Sequence, residues 1–268
     1  MISFSIDLED PSERYDPNGR YVAMTRRILD MCVETNCRAT FFTVGKIAEV
    51  APQLIRDITA RGHEIAYHSH AHVPLTQENP ERFRREGQQD KDRMEQLAGK
   101  SITGFRAPAF SLTPHTIWAL DILKELGFRY SSSIMPTRIS RYGFPNAPRK
   151  PFKWPNGLLE LPLPVARCGP LLLPYLGGIY MYAMPSALTR HWAKRADKNE
   201  ILWTYTHPYD FDREEKFTRM PNTALWASFV LWVSRRAAEK KIRKVLGWGA
   251  APTLHERAEA LMSPGTYS

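Results

Sequence analysis

The stretch Gly62-His63-Glu64-Ile65-Ala66-Tyr67-His68-Ser69-His70-Ala71-His72 joins a strand-like run to a turn rich in histidine. The short apolar run before His68 is typical of a buried strand. His68 and His72 stand four residues apart, a spacing that at a helix or turn places both imidazoles on one side. Neutral imidazole is the commonest protein ligand for zinc and similar divalent ions. The stretch therefore predicts half of a metal site at the end of a strand.

The alternative for this stretch is a solvated loop whose histidines bind nothing. We favour the metal site because the preceding strand delivers His68 and His72 to a strand end, where α/β barrels place their chemistry. His70 lies between the two and is expected to point away from an ion that they hold. We interpret His70 and His63 as structural or supporting residues.

A cluster of acids near the N-terminus offers the carboxylate that such a site needs. Residues 2–6 have a strand pattern and lead directly into Asp7-Leu8-Glu9-Asp10. If the chain stays extended, alternation places Glu9 on the same side as Asp7. If the chain turns after Asp7, the shorter Asp10 reaches the ion instead. The sequence leaves this choice open.

Two later strand ends carry further reactive groups. Arg106 follows one predicted strand and can orient a catalytic carboxylate by a bidentate pair. Pro108 would fix the same loop so that a following backbone N–H faces a developing oxyanion. Residues 201–206 form another strand pattern, which leads into His207. Three strand ends therefore carry groups able to do acid/base work: Asp7, the histidine pair and His207. We expect these strand ends to converge.

Strand and helix patterns alternate along the chain. Helices are predicted over residues 21–34, 47–61, 79–98 and 113–127, and further strands over residues 38–45, 101–105 and 159–162. Repeated βα units predict a parallel sheet with right-handed crossovers, closed or nearly closed as a barrel. At 268 residues and 43% hydrophobic, the chain can bury a full core as one α/β domain with a small appendage.

The cysteines and the N-terminus bear on the compartment. Cys32, Cys37 and Cys168 lack metal-ligand spacing, and Cys32 falls on the apolar face of a predicted helix, where packing is the expected role. No basic and apolar leader precedes the first strand pattern. We therefore expect a cytoplasmic chain in a reducing compartment.

The charge balance is strongly basic and unevenly distributed. With 37 basic and 28 acidic residues the net charge is +9, which in the abstract admits nucleic acid, anionic membrane or a phosphorylated substrate. Much of the excess lies at residues 235–244, directly after the apolar and aromatic run 224–233. That run is too short to span a bilayer. Two interpretations stay open: a helix lying in the interface of an anionic membrane, and a helix packed on the catalytic domain with a solvated basic face. Nucleic acid is not expected as a partner.

Taken in order, these motifs resemble the metal-dependent polysaccharide deacetylases with the NodB homology domain, carbohydrate esterase family 4. The resemblance covers about residues 1–215, and the family's five motifs are matched in turn by Asp7-Leu8-Glu9-Asp10, His68-Ser69-x-x-His72, Arg106-x-Pro108, Leu159-Glu160-Leu161-Pro162 and Thr206-His207-Pro208. Arg-x-Pro alone is a weak signal, whereas the histidine stretch is a strong one. Three further stretches resemble the subgroup found with bacterial exopolysaccharide and O-antigen assembly genes: Arg38-Ala39-Thr40-Phe41-Phe42, Gly104-Phe105-Arg106-Ala107-Pro108 and Gly177-Gly178-Ile179-Tyr180.

The resemblance implies a fold and an activity. The fold is an α/β, distorted (β/α)7 barrel of the NodB type over residues 1–215, and the sequence adds a basic, aromatic-rich helical extension over residues 216–268. The activity is metal-dependent removal of N-acetyl groups from an amino sugar of a bacterial surface glycan, or of its lipid-linked or nucleotide-linked precursor. The expected partners are that glycan and an anionic membrane, whose inner face the chain would contact as a peripheral protein.

The resemblance also implies roles for single residues. His68 and His72 would bind the ion together with Glu9 or Asp10, and zinc is the first choice, with nickel, cobalt, manganese or magnesium as alternatives. Asp7 would be the base that activates water. His207 would protonate the leaving amine, and the backbone N–H of Ala109 would stabilise the oxyanion.

The chain departs from the family's pattern at two positions, and the sequence admits two other functions. Many relatives have adjacent aspartates in the first motif, and relatives in the subgroup often have aspartate where this chain has Ser131. The alternatives are a deformylase or cyclic-amide hydrolase on the same scaffold and a non-catalytic barrel that binds polysaccharide. The presence of Asp7, His207 and the histidine pair disfavours the non-catalytic barrel.

Overall fold

A curled sheet of eight strands forms the centre of the computed structural model, which describes residues 1–137, 143–217, 219 and 224–263. Seven of these strands are parallel, and the eighth, β6, pairs antiparallel with β7 at one edge. The sheet strands are β1 (Ser3–Leu8), β2 (Ala39–Thr43), β3 (Glu64–Tyr67), β4 (Gly104–Phe105), β5 (Tyr130–Ser131), β6 (Phe152–Lys153), β7 (Leu159–Glu160) and β10 (Trp203–Thr206). Two further strands, β8 (Val165–Cys168) and β9 (Leu171–Pro174), pair antiparallel outside this sheet.

The strand order is β10-β1-β2-β3-β4-β5-β7-β6, so the seven parallel strands follow one another around a half-barrel. Within the described residues β7 and β10 do not pair with each other. Trp203 lies on β10, and its Nε1 donates to the carbonyl oxygen of Pro162, just beyond β7, at 3.2 Å. The predicted α/β, distorted seven-stranded barrel is confirmed, in an open form.

Helices connect the strands and cover the sheet. They are α1 (Arg20–Glu34), α2 (Gly45–Val50), α3 (Pro52–Ala60), α4 (Pro80–Ala98), α5 (Trp118–Glu125), α6 (Gly178–Ala183), α7 (Ser186–Arg195), α8 (Leu225–Leu246) and α9 (Leu254–Met262). The buried face of α1 includes Cys32, which confirms the packing role expected for it. The side chain of Asn79 caps α4 by accepting from the N–H groups of Glu81 and Arg82, an arrangement that contributes about 1 kcal/mol.

Two predicted helices differ from the structure. The single helix expected over residues 47–61 is two helices, α2 and α3, broken at Ala51. Pro52 explains the break, since it cannot donate a backbone hydrogen bond and disfavours helical geometry at the preceding residue. The helix expected from Thr113 begins only at Trp118. Thr116 Oγ1 donates to Ser111 O and accepts from Thr113 N, which holds these residues in a separate turn.

The C-terminal helices pack on the same core as the sheet. Ala238 and Ile242 of α8 are fully buried, and α8 packs on the 3₁₀ turn Pro208–Phe211. At the start of α9, Leu254 N donates to Thr40 Oγ1 on β2 at 2.9 Å. In the described part of the chain, none of the helices combines the length and apolar character that crossing a membrane requires.

Candidate active site and metal centre

The predicted site residues meet at one edge of the sheet. Glu9 follows β1, His68 and His72 follow β3, Arg106 follows β4 and His207 follows β10. Because these strands are parallel, their carboxyl ends lie at the same edge. The convergence expected from sequence is therefore present in the fold.

Glu9, His68 and His72 form a compact group of potential metal ligands. Each offers one ligand atom, and these three atoms lie within 4.8 Å of one another. The Oε2 atom of Glu9 is 2.5 Å from His72 Nε2 and 3.9 Å from His68 Nε2. Ligands that each sit about 2.0–2.2 Å from one ion lie roughly 3–4 Å apart. The distance from Glu9 to His68 falls in this range, and the distance from Glu9 to His72 is shorter, so Glu9 and His72 would move slightly apart around a bound ion.

The hydrogen bonds of the group leave its ligand atoms available. His68 Nδ1 lies 2.8 Å from the carbonyl oxygen of Arg106, and because a carbonyl only accepts, Nδ1 carries the proton. The lone pair of His68 is therefore on Nε2. His68 Nε2 is buried without a hydrogen-bond partner among the described residues, and Glu9 Oε2 is buried with His72 Nε2 as its near polar neighbour. A bound cation would satisfy both atoms, so the residues present fit a metal ion.

The charge states of Glu9 and His68 also suit a cation. Burial lowers the pKa of His68 to about 4, which keeps the imidazole neutral, as a ligand must be. Burial alone would raise the pKa of Glu9, but the neighbouring His72, together with His207 and His68, lowers it to about 2. Burial opposes protonation of His72, yet Glu9 raises its pKa above the ordinary value. Glu9 is thus an ionised carboxylate at neutral pH.

Asp10 is not brought to this group. Its carboxylate accepts hydrogen bonds from Ser12 N and Ser12 Oγ at 2.9 and 2.8 Å and from Tyr15 N at 2.9 Å, which fixes the turn after β1. Among the described residues, Glu9 is the acid that joins the two histidines. β1 continues past Asp7 to Leu8 rather than turning after Asp7, and the proposed ligand set keeps Glu9 and drops Asp10.

Asp7 and Arg106 form a buried ion pair beside the group. Arg106 Nη1 donates to Asp7 Oδ1 at 2.5 Å and to Ser5 Oγ at 3.0 Å. Its Nε and Nη2 donate to the carbonyl oxygen and hydroxyl of Ser132, and its Cζ lies 3.8 Å from the ring centre of Phe42. Burial lowers the pKa of Arg106, but a guanidinium stays charged in proteins. The contact to Asp7 runs through one N–H rather than through the bidentate pair expected.

His207 is held by a carboxylate from its own turn. His207 Nδ1 donates to Asp210 Oδ2 at 3.1 Å, and the same oxygen accepts from His207 N at 2.9 Å and from the hydroxyl of Tyr182 at 2.8 Å. The His207 ring stacks on Tyr209 with a centroid distance of 4.6 Å. Burial opposes protonation, but Asp210, then Glu9 and Asp7, raise the pKa of His207 to about 9. His207 is therefore protonated at neutral pH and able to donate a proton.

Asp210 and Tyr182 were not among the residues predicted from sequence. A signal for Asp210 exists, because His207-Pro208-Tyr209-Asp210 has the pattern of a capping box, with Pro at the first helical position and an acid at the third. Tyr182 comes from α6, and nothing local to His207 indicates it.

The two loops that carry site residues adopt unusual backbone geometry. Ser69 and His72 have φ values of 62° and 56°, and Ala109 and Phe110 have 53° and 55°. Non-glycine residues rarely take this left-handed conformation, and where they do, it is often at functional sites. The turn at Ala109 is closed by bonds from Phe110 N to Ala107 O and from Ser111 N to Pro108 O, which leave the Ala109 N–H outside them.

The other two histidines of the stretch 62–72 have partners away from the ligand group. His70 Nδ1 pairs with Asp90 Oδ2 at 3.0 Å, and His63 Nδ1 accepts from Ala39 N at 3.1 Å. Both positions agree with the supporting roles expected. A cavity of about 250 Å³ lies next to the turn after β1, and Asp10, Tyr209 and Glu215 contribute to its wall.

Known protein families match the chain in two adjoining parts. A family described as polysaccharide deacetylase matches residues 15–131, which include His68, His72 and Arg106. The chain carries a polysaccharide deacetylase domain. A domain of unknown function (DUF3473) matches residues 132–254. His207 lies in that second part, so the candidate active site draws on residues of both parts. The two matches meet at the end of β5 (Tyr130–Ser131), a strand of the central sheet.

Individual relatives agree with this assignment. The chain is 33% identical over 110 residues to a chitooligosaccharide deacetylase of Sinorhizobium fredii, a match that covers 40% of this chain and 47% of the relative. The matches span 38–47% of the length of three curated relatives, that is, less than half of each.

Solved structures share the fold of this chain. A Pseudomonas aeruginosa protein classed with the polysaccharide deacetylases has a TM-score of 0.65 at 13% identity, with 100% of this chain and 92% of that chain covered. An allantoinase has a TM-score of 0.64 at 14% identity, with 100% and 91% covered. At these identities the likeness is one of fold alone.

Proposed function

We propose that this protein is a metal-dependent N-deacetylase that acts on an amino-sugar glycan. The observation that carries the proposal is the group Glu9, His68 and His72, whose converging ligand atoms lie in the same site as Asp7 and a protonated His207. The curated relatives named as chitooligosaccharide deacetylases support an amino-sugar substrate. Amide hydrolysis needs a means of activating water and a proton for the leaving nitrogen, and the site offers groups for both.

The residues divide the chemistry between them. A divalent ion held by Glu9, His68 and His72 would polarise the acetyl carbonyl and lower the pKa of a water molecule. Asp7 accepts the proton of the attacking water. Arg106 positions the carboxylate of Asp7 through their 2.5 Å hydrogen bond. His207 donates its proton to the leaving amine. The Ala109 N–H donates to the oxygen on which negative charge develops.

The proposed ion is zinc. Two imidazoles and one carboxylate with further positions open suit zinc, and they also accept nickel, cobalt, manganese or magnesium. Elemental analysis of the purified protein identifies which ion it carries.

The proposed substrate is an N-acetyl sugar of a bacterial surface glycan, in lipid-linked or nucleotide-linked form, met in the cytoplasm at the inner face of the membrane. The basic and aromatic sequence of α8 supports this location, because such segments favour anionic membrane surfaces.

The test is a substrate panel offered to the metal-loaded protein, with chelated protein as the blank. The panel contains N-acetyl chitooligosaccharides, UDP-linked and undecaprenyl-linked N-acetyl sugars, an N-formyl sugar and a cyclic amide. We expect metal-dependent release of acetate from at least one N-acetyl sugar. Formate release or ring opening without acetate release would favour the deformylase or cyclic-amide hydrolase. Glycan binding without any turnover would favour the non-catalytic barrel.

A further inference from the structure

The first half of α8 presents a row of exposed apolar side chains. They are exposed by 36–71%, and they are Leu225, Trp226, Phe229, Val230 and Val233. At about 100° per residue these five positions fall within an arc of about 140° on one side of the helix. Isolated exposed apolar residues are ordinary, but a contiguous group of this kind marks an interaction surface. We call these five residues the apolar patch.

The same side of α8 becomes cationic further along the helix. Arg236, Lys240 and Lys244 are all exposed and follow one another at four-residue spacing. On a helix of 3.6 residues per turn they fall within the arc of the apolar patch. One continuous face of α8 thus carries aromatic and aliphatic groups at its start and positive charges at its end. The partner of that face must match both.

Contacts connect this helix to the candidate catalytic acid. Trp232 Nε1, at the edge of the apolar patch, donates to the carbonyl oxygen of Glu215 at 2.9 Å. Arg235 pairs with the Glu215 carboxylate, and its Cζ lies 5.4 Å from the ring centre of Tyr209. Tyr209 in turn stacks on His207. A surface that binds α8 is therefore held beside the candidate active site.

We propose that the exposed face of α8 docks this protein on a bilayer that contains anionic lipid. Tryptophan and phenylalanine insert at the boundary between headgroups and acyl chains, and lysine and arginine pair with anionic headgroups. The net charge of +9 favours the same partner. A second copy of the chain would present a face of the same positive charge, so it matches α8 less well. The role of docking in presenting a membrane-carried glycan to His207 rests on the proposed deacetylase function.

The experiment is flotation of the full chain with vesicles of phosphatidylcholine plus phosphatidylglycerol and with vesicles of phosphatidylcholine alone. We expect binding to the anionic vesicles. Binding to the neutral vesicles should be weaker by about tenfold or more. The double variant Trp226→Ser/Phe229→Ser is expected to weaken binding to anionic vesicles about tenfold or more. Val33→Ser/Leu171→Ser is the matched control, because those side chains are 67% and 46% exposed elsewhere, and it should bind as the unaltered protein does.

A second set of variants tests the positive charges. Arg236→Gln, Lys240→Gln and Lys244→Gln are each expected to weaken binding to anionic vesicles by up to about fivefold. Arg56→Gln, Arg85→Gln and Lys153→Gln remove exposed cations from other surfaces and serve as charge-matched controls. Melting temperatures verify that each variant folds.

Three results would overturn the proposal. One is no flotation with anionic vesicles, and another is equal loss of binding in the α8 variants and their controls. The third is sedimentation as a dimer that Trp226→Ser/Phe229→Ser dissociates, since a second copy would then occupy the face. Flotation tests docking without any catalytic turnover. Acetate release from a soluble oligosaccharide tests the deacetylase proposal without any vesicle. Failure of docking is therefore distinguishable from failure of the deacetylase proposal.

Discussion

Asp210 Oδ2 accepts hydrogen bonds from the ring and the backbone of His207 and from Tyr182. This carboxylate offsets the burial that would otherwise keep His207 neutral, and the pKa of His207 is raised to about 9 as a result. A proton donor is active only below its pKa, so the raised value keeps His207 competent across the neutral range. The charge state of the proposed acid thus depends mainly on Asp210, with smaller contributions from Glu9 and Asp7.

Asp210→Asn is expected to shift the alkaline limb of the activity profile to lower pH. The amide still accepts from His207 N but carries no charge, so the pKa of His207 falls from about 9 toward its ordinary value near 6.5. At pH 8 the variant should lose about tenfold or more in kcat/KM, and at pH 6 much less. The pH dependence of kcat/KM checks this, with metal content as the control. An unchanged alkaline limb would remove Asp210 from the account.

Glu9 and Asp10 form a natural pair of variants for testing the ligand set. Glu9→Gln should lower bound metal well below one ion per chain, because it replaces the carboxylate next to His68 and His72 with a weak ligand. Asp10→Asn should leave metal content unchanged, since Asp10 is engaged with Ser12 and Tyr15. Elemental analysis after dialysis measures both. The reverse pattern would assign the ligand role to Asp10.

At the scale of elements, the sequence predicts which strands end in reactive groups. It predicts less well the backbone path of the residues that follow each strand. The strand before His68 and its histidine spacing are local patterns, and the structure contains both. Whether Glu9 or Asp10 reaches the histidines depends on how many residues stay extended after β1, which local alternation cannot decide. The helix start at Trp118 was missed because the Thr116 hydroxyl stabilises a competing turn.

Gly45 shows how α2 and α4 support the histidine loop. A Cβ atom at Gly45 would lie 1.9 Å from the carboxylate of Asp90, which bonds His70 and the hydroxyl of Tyr67. Asp90 is buried on α4, so its carboxylate cannot easily move away from Gly45. The absence of a side chain at Gly45 is therefore required for this packing.

Gly45→Ala is expected to lower the free energy of unfolding by about 1–3 kcal/mol, through overpacking against Asp90. Gly247→Ala is the matched control. Its Cβ would meet its nearest neighbour at an ordinary 3.4 Å, and its φ is helical. That variant should change stability by less than about 0.5 kcal/mol or stabilise slightly. Urea unfolding measures both, and equal effects would show that Gly45 is not tightly packed.

At the scale of the whole molecule, the order of strands and the convergence of their ends follow from repeated βα units, which the sequence shows clearly. The openness of the barrel does not follow from these units. It depends on how β7 and β10 approach each other at the hydrogen bond from Trp203 to Pro162, and these strands are more than forty residues apart. For α8 the sequence left two interpretations open. The structure packs one side of α8 in the core and exposes the other, which carries both aromatic and basic groups.

The most direct test of the account compares acetate release by the metal-loaded protein and by Asp7→Asn at equal metal content. The account predicts that the protein releases acetate from an N-acetyl oligosaccharide and that Asp7→Asn is slower by about 10²–10⁴-fold, the usual contribution of a general base. Turnover near that of the unaltered protein in Asp7→Asn, with metal still bound, would contradict it.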